Sequence, residues 1–210
     1  MFSDVAEGMR FVWQHPVIRA IIVWGAAINF SVTLVLVTVT LRLVRAGVHP
    51  AEIGLVDAIA AAAGLLGALA APLIISRMRT GSTTIATGLV LAVIVVPMAW
   101  TTSVTVIGAL LAAGFFLLPA NNSAISAYLA TVTPDRLQGR VYSAGGFIAG
   151  GVEPVAPALA GVLLGSVGGW LATITGAMFV AASLAPLLFS GAIRGLGRPD
   201  SWVAGEPLPE

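Results

Sequence analysis

Six apolar runs, each close to the length that carries a helix across a bilayer, order nearly all of this 210-residue chain. They cover about 20–41, 54–75, 83–100, 104–129, 141–164 and 170–193. A hydrocarbon core takes roughly 20 residues of helix. Strands are the other use of an apolar run, but a membrane strand alternates polarity over roughly ten residues and must close into a barrel. Residues 58–63 and 89–96 are apolar at every position. A helix satisfies its own backbone, so the pattern predicts an all-α membrane protein with six transmembrane helices.

Composition agrees and removes several function classes. Charged residues make up 9% of the chain and mean hydropathy is +1.01, whereas a soluble domain carries roughly 25% charge. The net charge is +1, all ten basic residues are Arg, and no basic stripe is available for a phosphate backbone, so nucleic acid is not an expected partner. Arg without Lys, with abundant Ala, Gly and Val, fits a GC-rich bacterial genome. There is no cysteine, which excludes disulfides and thiolate chemistry. His15 and His49 fall in separate loops on opposite predicted sides, so no metal or cofactor is expected. Residues 1–19 hold Asp4, Glu7, Arg10, His15 and Arg19 and lack the apolar core of a signal peptide.

Arginine sets the expected orientation. Arg10, Arg19, Arg77, Arg79, Arg136, Arg140, Arg194 and Arg198 share one side, and only Arg42 and Arg45 the other. The positive-inside rule puts both termini in the cytoplasm, in a bacterial inner membrane. Three regions follow: a cytoplasmic linker segment 1–19, a transmembrane domain 20–193, and a tail 194–210 expected to be disordered. Val5, Met9, Val12 and Trp13 suit either a short helix on the membrane surface or an ordinary linker. Trp100 and Trp170 fall at predicted outer ends, where indoles settle.

The second and fifth runs are interrupted alike. The second carries Gly64, Gly67 and Pro72; the fifth carries Gly145, Gly146, Gly150, Gly151, Pro154, Pro157 and Gly161. Each also holds one acid, Asp57 or Glu153. Twelve residues of helix from Val141 put Glu153 about 18 Å deep, near the midplane. Such a carboxylate must face protein or water, and it serves either as a proton-coupling or cation-binding group or as a structural hydrogen-bond partner. Asp57 lies nearer the outer end, where a helix dipole tolerates an acid.

Three stretches resemble the major facilitator superfamily, especially bacterial drug and siderophore exporters of the enterobactin-exporter type. Glu7-Gly-Met-Arg-Phe-Val-Trp-Gln-His-Pro-Val-Ile-Arg19 is similar to the segment entering their second six-helix half. Pro134-Asp-Arg-Leu-Gln-Gly-Arg-Val141 is similar to the loop between their tenth and eleventh helices. Ser76-Arg-Met-Arg79 resembles a degenerate cytoplasmic loop motif, with Ser76 where the family has Asp. The resemblance spans nearly the whole chain. It implies one half of a major facilitator fold, built as two inverted three-helix repeats.

The resemblance also implies proton-coupled export of small amphipathic molecules, such as drugs or siderophores, by a pair of six-helix halves. This chain is then one half and needs a second, as a separate chain or another copy. First and fourth helices line the family's cavity, which makes Asn29, Asn121 and Asn122 candidate lining residues; an interhelical hydrogen bond is the other reading. Asn121 and Asn122 point in different directions, so one of them at most is expected to face the cavity. Arg77, Arg79, Asp135, Arg136, Gly139 and Arg140 are the candidate loop or gate residues. The second and fifth helices form the family's seam, so Gly146-x-x-x-Gly150 and Gly161-x-x-x-Gly165 serve either that seam or packing within the half.

Two other classes compete. An intramembrane enzyme is not expected, since no span holds a His and the two acids sit at different depths. A non-transporting fragment or accessory subunit is the third, because Met1 falls in what resembles the central loop of a longer transporter.

Overall fold

The computed structural model describes residues 2–189 and 191–202, with side chains for 7–188, 191 and 193–202. Six helical spans are long and apolar enough to cross a bilayer. A short helix α1 (Phe2–Gln14) precedes them. The spans are α2 (Pro16–Arg45), α3 (Pro50–Arg77), α4 (Thr80–Met98), α5 (Val104–Val132), the pair α6 (Asp135–Val152) and α7 (Val155–Ser166), and α8 (Gly168–Ser183). Short helices α9 (Ala185–Phe189) and α10 (Gly191–Arg194) continue the last span.

Local chemistry explains the boundaries. Pro16 and Pro50 sit at the first helical positions of α2 and α3, where a missing N–H costs nothing. His49 and Glu52 complete a reciprocal cap on α3. The fifth span breaks at Glu153 and Pro154, between α6 and α7. Proline offers no N–H to the carbonyl four residues back, and Gly150 and Gly151 weaken the preceding turn. Proline also stands at the second break, where Pro186 follows the end of α8.

Arg42 and Arg45, the minority in the charge count, cap the ends of neighbouring helices. Arg42 donates to the carbonyls of Met98 at 2.8 Å and Ala99 at 3.0 Å, and to Thr173 Oγ1 at 2.9 Å. It thereby ties together one end each of α2, α4 and α8. Arg45 donates to the Leu164 carbonyl near the end of α7 at 2.7 Å. Trp100 and Trp170 meet edge to face at the same end, with centroids 5.8 Å apart.

Packing is uneven around the bundle. The first span, α2, lies against α6–α7 and α8, whereas α5 lies against α3 and α4, with α4 and α8 joining the two groups. In the most apolar stretch of each span, 17% of residues are buried in the second and fifth but 44% to 50% in the first, third and sixth. The second and fifth spans therefore turn most of their surface outward. α3 owes its contact with α5 to Gly67, where a methyl would overlap the Phe116 carbonyl oxygen. At Gly146, Gly150, Gly161 and Gly165 a methyl would meet nothing within 4 Å, so packing inside this half does not explain those glycines.

Two expectations change. The first span starts at Pro16, so the segment ahead of it is a helix and a one-residue link. The tail expected to be disordered from 194 is docked as far as it is described: Leu196 is buried, and the carbonyls of Gly197 and Leu196 accept the first amides of α4, Thr80 at 3.1 Å and Gly81 at 3.2 Å. Those amides lack helical partners, which is why the chain returns to them. Residues 203–210 lie outside the described residues.

Gly67→Ala should lower the unfolding midpoint in detergent, with a loss of about 1–3 kcal/mol from overpacking. Helix propensity alone would gain up to about 1 kcal/mol, so the clash decides the sign. Gly54→Ala, at a position with nothing within 4 Å, should leave the midpoint unchanged or raise it. Because the chain lacks cysteine, Gly139→Cys and Thr102→Cys also report topology. An impermeant maleimide added outside intact cells should label only the second.

Candidate functional site

A cavity of about 440 Å³ lies among α2, α4, α5 and α6. It forms because α2 and α5 barely touch each other, each being packed against other helices. Along α2, Trp24, Gly25, Ile28, Asn29 and Val32 line it at helical spacing. Leu91 and Thr87 of α4 close one wall, and Leu118, Ile125 and the two asparagines of α5 face α2. The volume is in the range of small-molecule pockets, roughly 300–1,000 Å³.

All three asparagines line this cavity. The expectation that at most one of Asn121 and Asn122 would do so is corrected. The cavity is broad enough to take two neighbours about 100° apart on α5, one at its floor and one at its edge. Asn121 is 2% exposed and its Oδ1 is buried without a partner. Asn122 is exposed. Asn29 turns its amide N–H onto its own helix, donating to the Gly25 carbonyl at 2.8 Å. Among the described residues none of the three bonds a neighbouring helix.

Two aromatic lining residues were not among the sequence candidates. Trp24 is buried and its indole Nε1 lacks a partner. Tyr142 of α6 donates to the Ser126 carbonyl of α5 at 3.0 Å and bridges two helices that otherwise scarcely meet. Trp24 was legible in principle, since it shares a helical face with Ile28 and Asn29; Tyr142 depends on how α6 lies beside α5.

Glu153 sits at the break between α6 and α7, beside the cavity but not lining it. It follows Asp135 by eighteen residues in a 32-residue span, about 27 Å of rise. The helix starts earlier than expected, but the acid stays near mid-span. Its side chain is exposed and accepts from Thr33 Oγ1 at 3.4 Å. Val32, the neighbour of Thr33, lines the cavity, as does Ala149, one turn before Glu153. Asp57 is exposed in the second turn of α3, and Glu52 holds the capping position there instead. The two acids are not brought together.

The loop candidates separate into two places. Glu7 of α1 pairs with Arg136, at 3.4 Å, and with Arg140 at the start of α6. A methyl on Gly8 would overlap the Arg140 carbonyl, so glycine lets α1 lie flat on α6. Two of the stretches carrying the family resemblance thus dock on each other. Asp135 accepts from Gln138 at 3.2 Å, and Gly139 is exposed with nothing packed on it. Arg77 and Arg79 lie elsewhere, between α3 and α4, where the Arg77 carbonyl accepts from Arg198 at 3.1 Å. Among the described residues neither joins an ion pair.

Among the described residues no cluster of His, Asp and Glu suits a metal ion. The chain matches no protein-family model, no curated protein and no solved structure.

Exposed ion pairs contribute up to about 1 kcal/mol and are screened by salt. Glu7→Gln should therefore leave the global unfolding midpoint nearly unchanged. It should speed hydrogen exchange in α1 severalfold at low ionic strength, and the difference from wild type should shrink in high salt.

Proposed function

We propose that this chain is one half of a secondary active transporter of the major facilitator type, in a bacterial inner membrane with cytoplasmic termini. It exports small amphipathic molecules in exchange for protons. The observation that carries the reading is the cavity between α2 and α5, which this chain walls on one side.

The packing pattern supports two three-helix repeats. Exchanging first for fourth, second for fifth and third for sixth spans maps the α2 contacts onto those of α5. Exchanged members run in opposite directions, since three crossings separate them, as inverted repeats require. The outward faces of the second and fifth spans, with their bare glycines, suit a seam with a second half. A broken helix with an acid at mid-span is a feature of transporter working regions. Glu153 is the proposed proton carrier and Asp57 a lesser candidate; the Glu7, Arg136 and Arg140 cluster is the proposed cytoplasmic gate contact.

Tagged chain taken from native membranes in mild detergent should carry a second six-helix chain or a second copy, read from the mass of the complex. In vesicles holding that complex, Glu153→Gln should reduce proton-driven efflux at least tenfold while leaving assembly intact. Undiminished efflux would remove Glu153 from coupling. A monomer without partner would remove the transport reading in favour of a fragment.

A further inference from the structure

We infer that the cleft between the α3–α4 link and the docked C-terminal segment binds the headgroup phosphate of an anionic phospholipid, through Arg79 and Arg198 with Arg77 beside them. The inference stands apart from the transport reading and holds for a half-transporter or a fragment alike.

Tertiary structure makes this cleft, since 121 residues separate Arg77 from Arg198. One wall is the short link in which Arg77 ends α3 and Arg79 stands just before α4. The other is the segment 197–201, closed by a single 3₁₀ turn at Pro199–Ser201. Three contacts hold that segment in place. The Gly197 carbonyl accepts the Thr80 amide, Arg198 donates to the Arg77 carbonyl, and the Trp202 ring packs edge to face on Tyr128 with centroids 5.4 Å apart. Between the walls lies a space of about 490 Å³, lined by Arg79, Gly197, Arg198, Asp200 and Ser201.

The charge there is unbalanced. Arg77, Arg79 and Arg198 meet a single acid, Asp200, and among the described residues none of the four joins an ion pair. Arg194 donates to the Leu188 carbonyl and is not part of the lining. Like charges held close repel, and an anion between them offsets that cost. The arginine donors are also largely unspent. The Arg79 side chain makes no hydrogen bond among the described residues, and Arg198 spends one of its five N–H groups on Arg77. A guanidinium presents its N–H groups as a planar fork that fits phosphate oxygens. Ser201 already gives its hydroxyl hydrogen to the Arg198 carbonyl, so recognition rests with the arginines.

Position selects a lipid over a soluble anion. Arg77 ends the second span and Arg79 precedes the third, so the cleft lies where two helices leave the hydrocarbon. Leu73, one turn before Arg77, is 54% exposed, and Met78, between the two arginines, is 39% exposed. These apolar side chains give acyl chains a surface beside the bound phosphate, which a free phosphate does not use. Basic pockets at the ends of transmembrane helices bind anionic headgroups for the same reason.

The test uses the full chain in neutral detergent, so that Glu206 and Glu210, outside the described residues, are present to compete. Binding is read by native mass spectrometry during titration with dioleoylphosphatidylglycerol, dioleoylphosphatidylcholine or inorganic phosphate. The phosphatidylglycerol should fill a saturable site at least tenfold more tightly than the phosphatidylcholine, and inorganic phosphate at equal concentration should not displace it. Arg79→Gln and Arg198→Gln should each weaken phosphatidylglycerol binding about fivefold, the contribution of one arginine near a lipid surface. Arg10→Gln, on α1, should leave it unchanged. Arg79→Gln breaks no hydrogen bond within the described residues, so it decides the matter if Arg198→Gln lowers the unfolding midpoint. Equal binding of the two lipids, no saturable lipid site, or a loss in Arg10→Gln as large as in Arg79→Gln would overturn the inference. Displacement by inorganic phosphate at equal concentration would overturn its choice of a lipid.

Discussion

An unbonded backbone amide or carbonyl in hydrocarbon costs several kcal/mol, and the rest of this structure is arranged around that cost. Within the spans the helices meet it themselves. At their ends other groups are recruited: Arg42 and Arg45 cover carbonyls of α4 and α7 at one surface, and the docked C-terminal segment covers the first amides of α4 at the other. Several hydroxyls inside the bundle follow the same rule, as when Thr84 and Thr87 bond carbonyls one turn back. The exceptions are the break at Glu153 and a few buried polar groups without a partner among the described residues, those of Trp24, Thr38, Asn121 and Thr133 among them.

Glycine shows how one residue type serves two ends. Gly67 brings α3 against α5 closely enough that a side chain would not fit. Gly150, Gly161 and Gly165 of α6 and α7 present equally smooth surface with nothing upon it. In a membrane the hydrophobic effect does not drive helices together, so smooth faces that permit close packing are where association energy is found. An outward face of that kind is where the proposed second half would pack.

The helix α2 links the two parts of the proposed mechanism. It shows Asn29 and Val32 to the cavity and Thr33 to Glu153. A change in the charge on Glu153 would alter its hold on α2 one residue from the cavity wall. The acid itself stays clear of the lining, so on the proposed reading proton and substrate act through a shared helix without competing for one group.

Much of the architecture was legible in the residues. Length and continuity of the apolar runs predict six spans, and the prolines at 16, 50 and 154 mark starts and a break, but the interruption expected at Pro72 does not occur, since α3 runs unbroken from Pro50 to Arg77. Asn29, Asn121, Asn122 and Glu153 were also recognisable, since a polar group in an apolar run is conspicuous wherever the helix ends up. The sequence could not tell which helices meet. That Gly67 is covered and Gly146 bare, that Glu7 reaches Arg136 and Arg140 across more than a hundred residues, that residues 196 and 197 return to α4, and that Trp24 and Asn121 face one cavity are all matters of three-dimensional placement. By itself the sequence determined that this chain is helical and suited to lipid, because hydrogen bonding and transfer energy act residue by residue. Tertiary structure alone decided which polar groups found partners and which were left without one, because that depends on helix packing, which links residues distant along the chain.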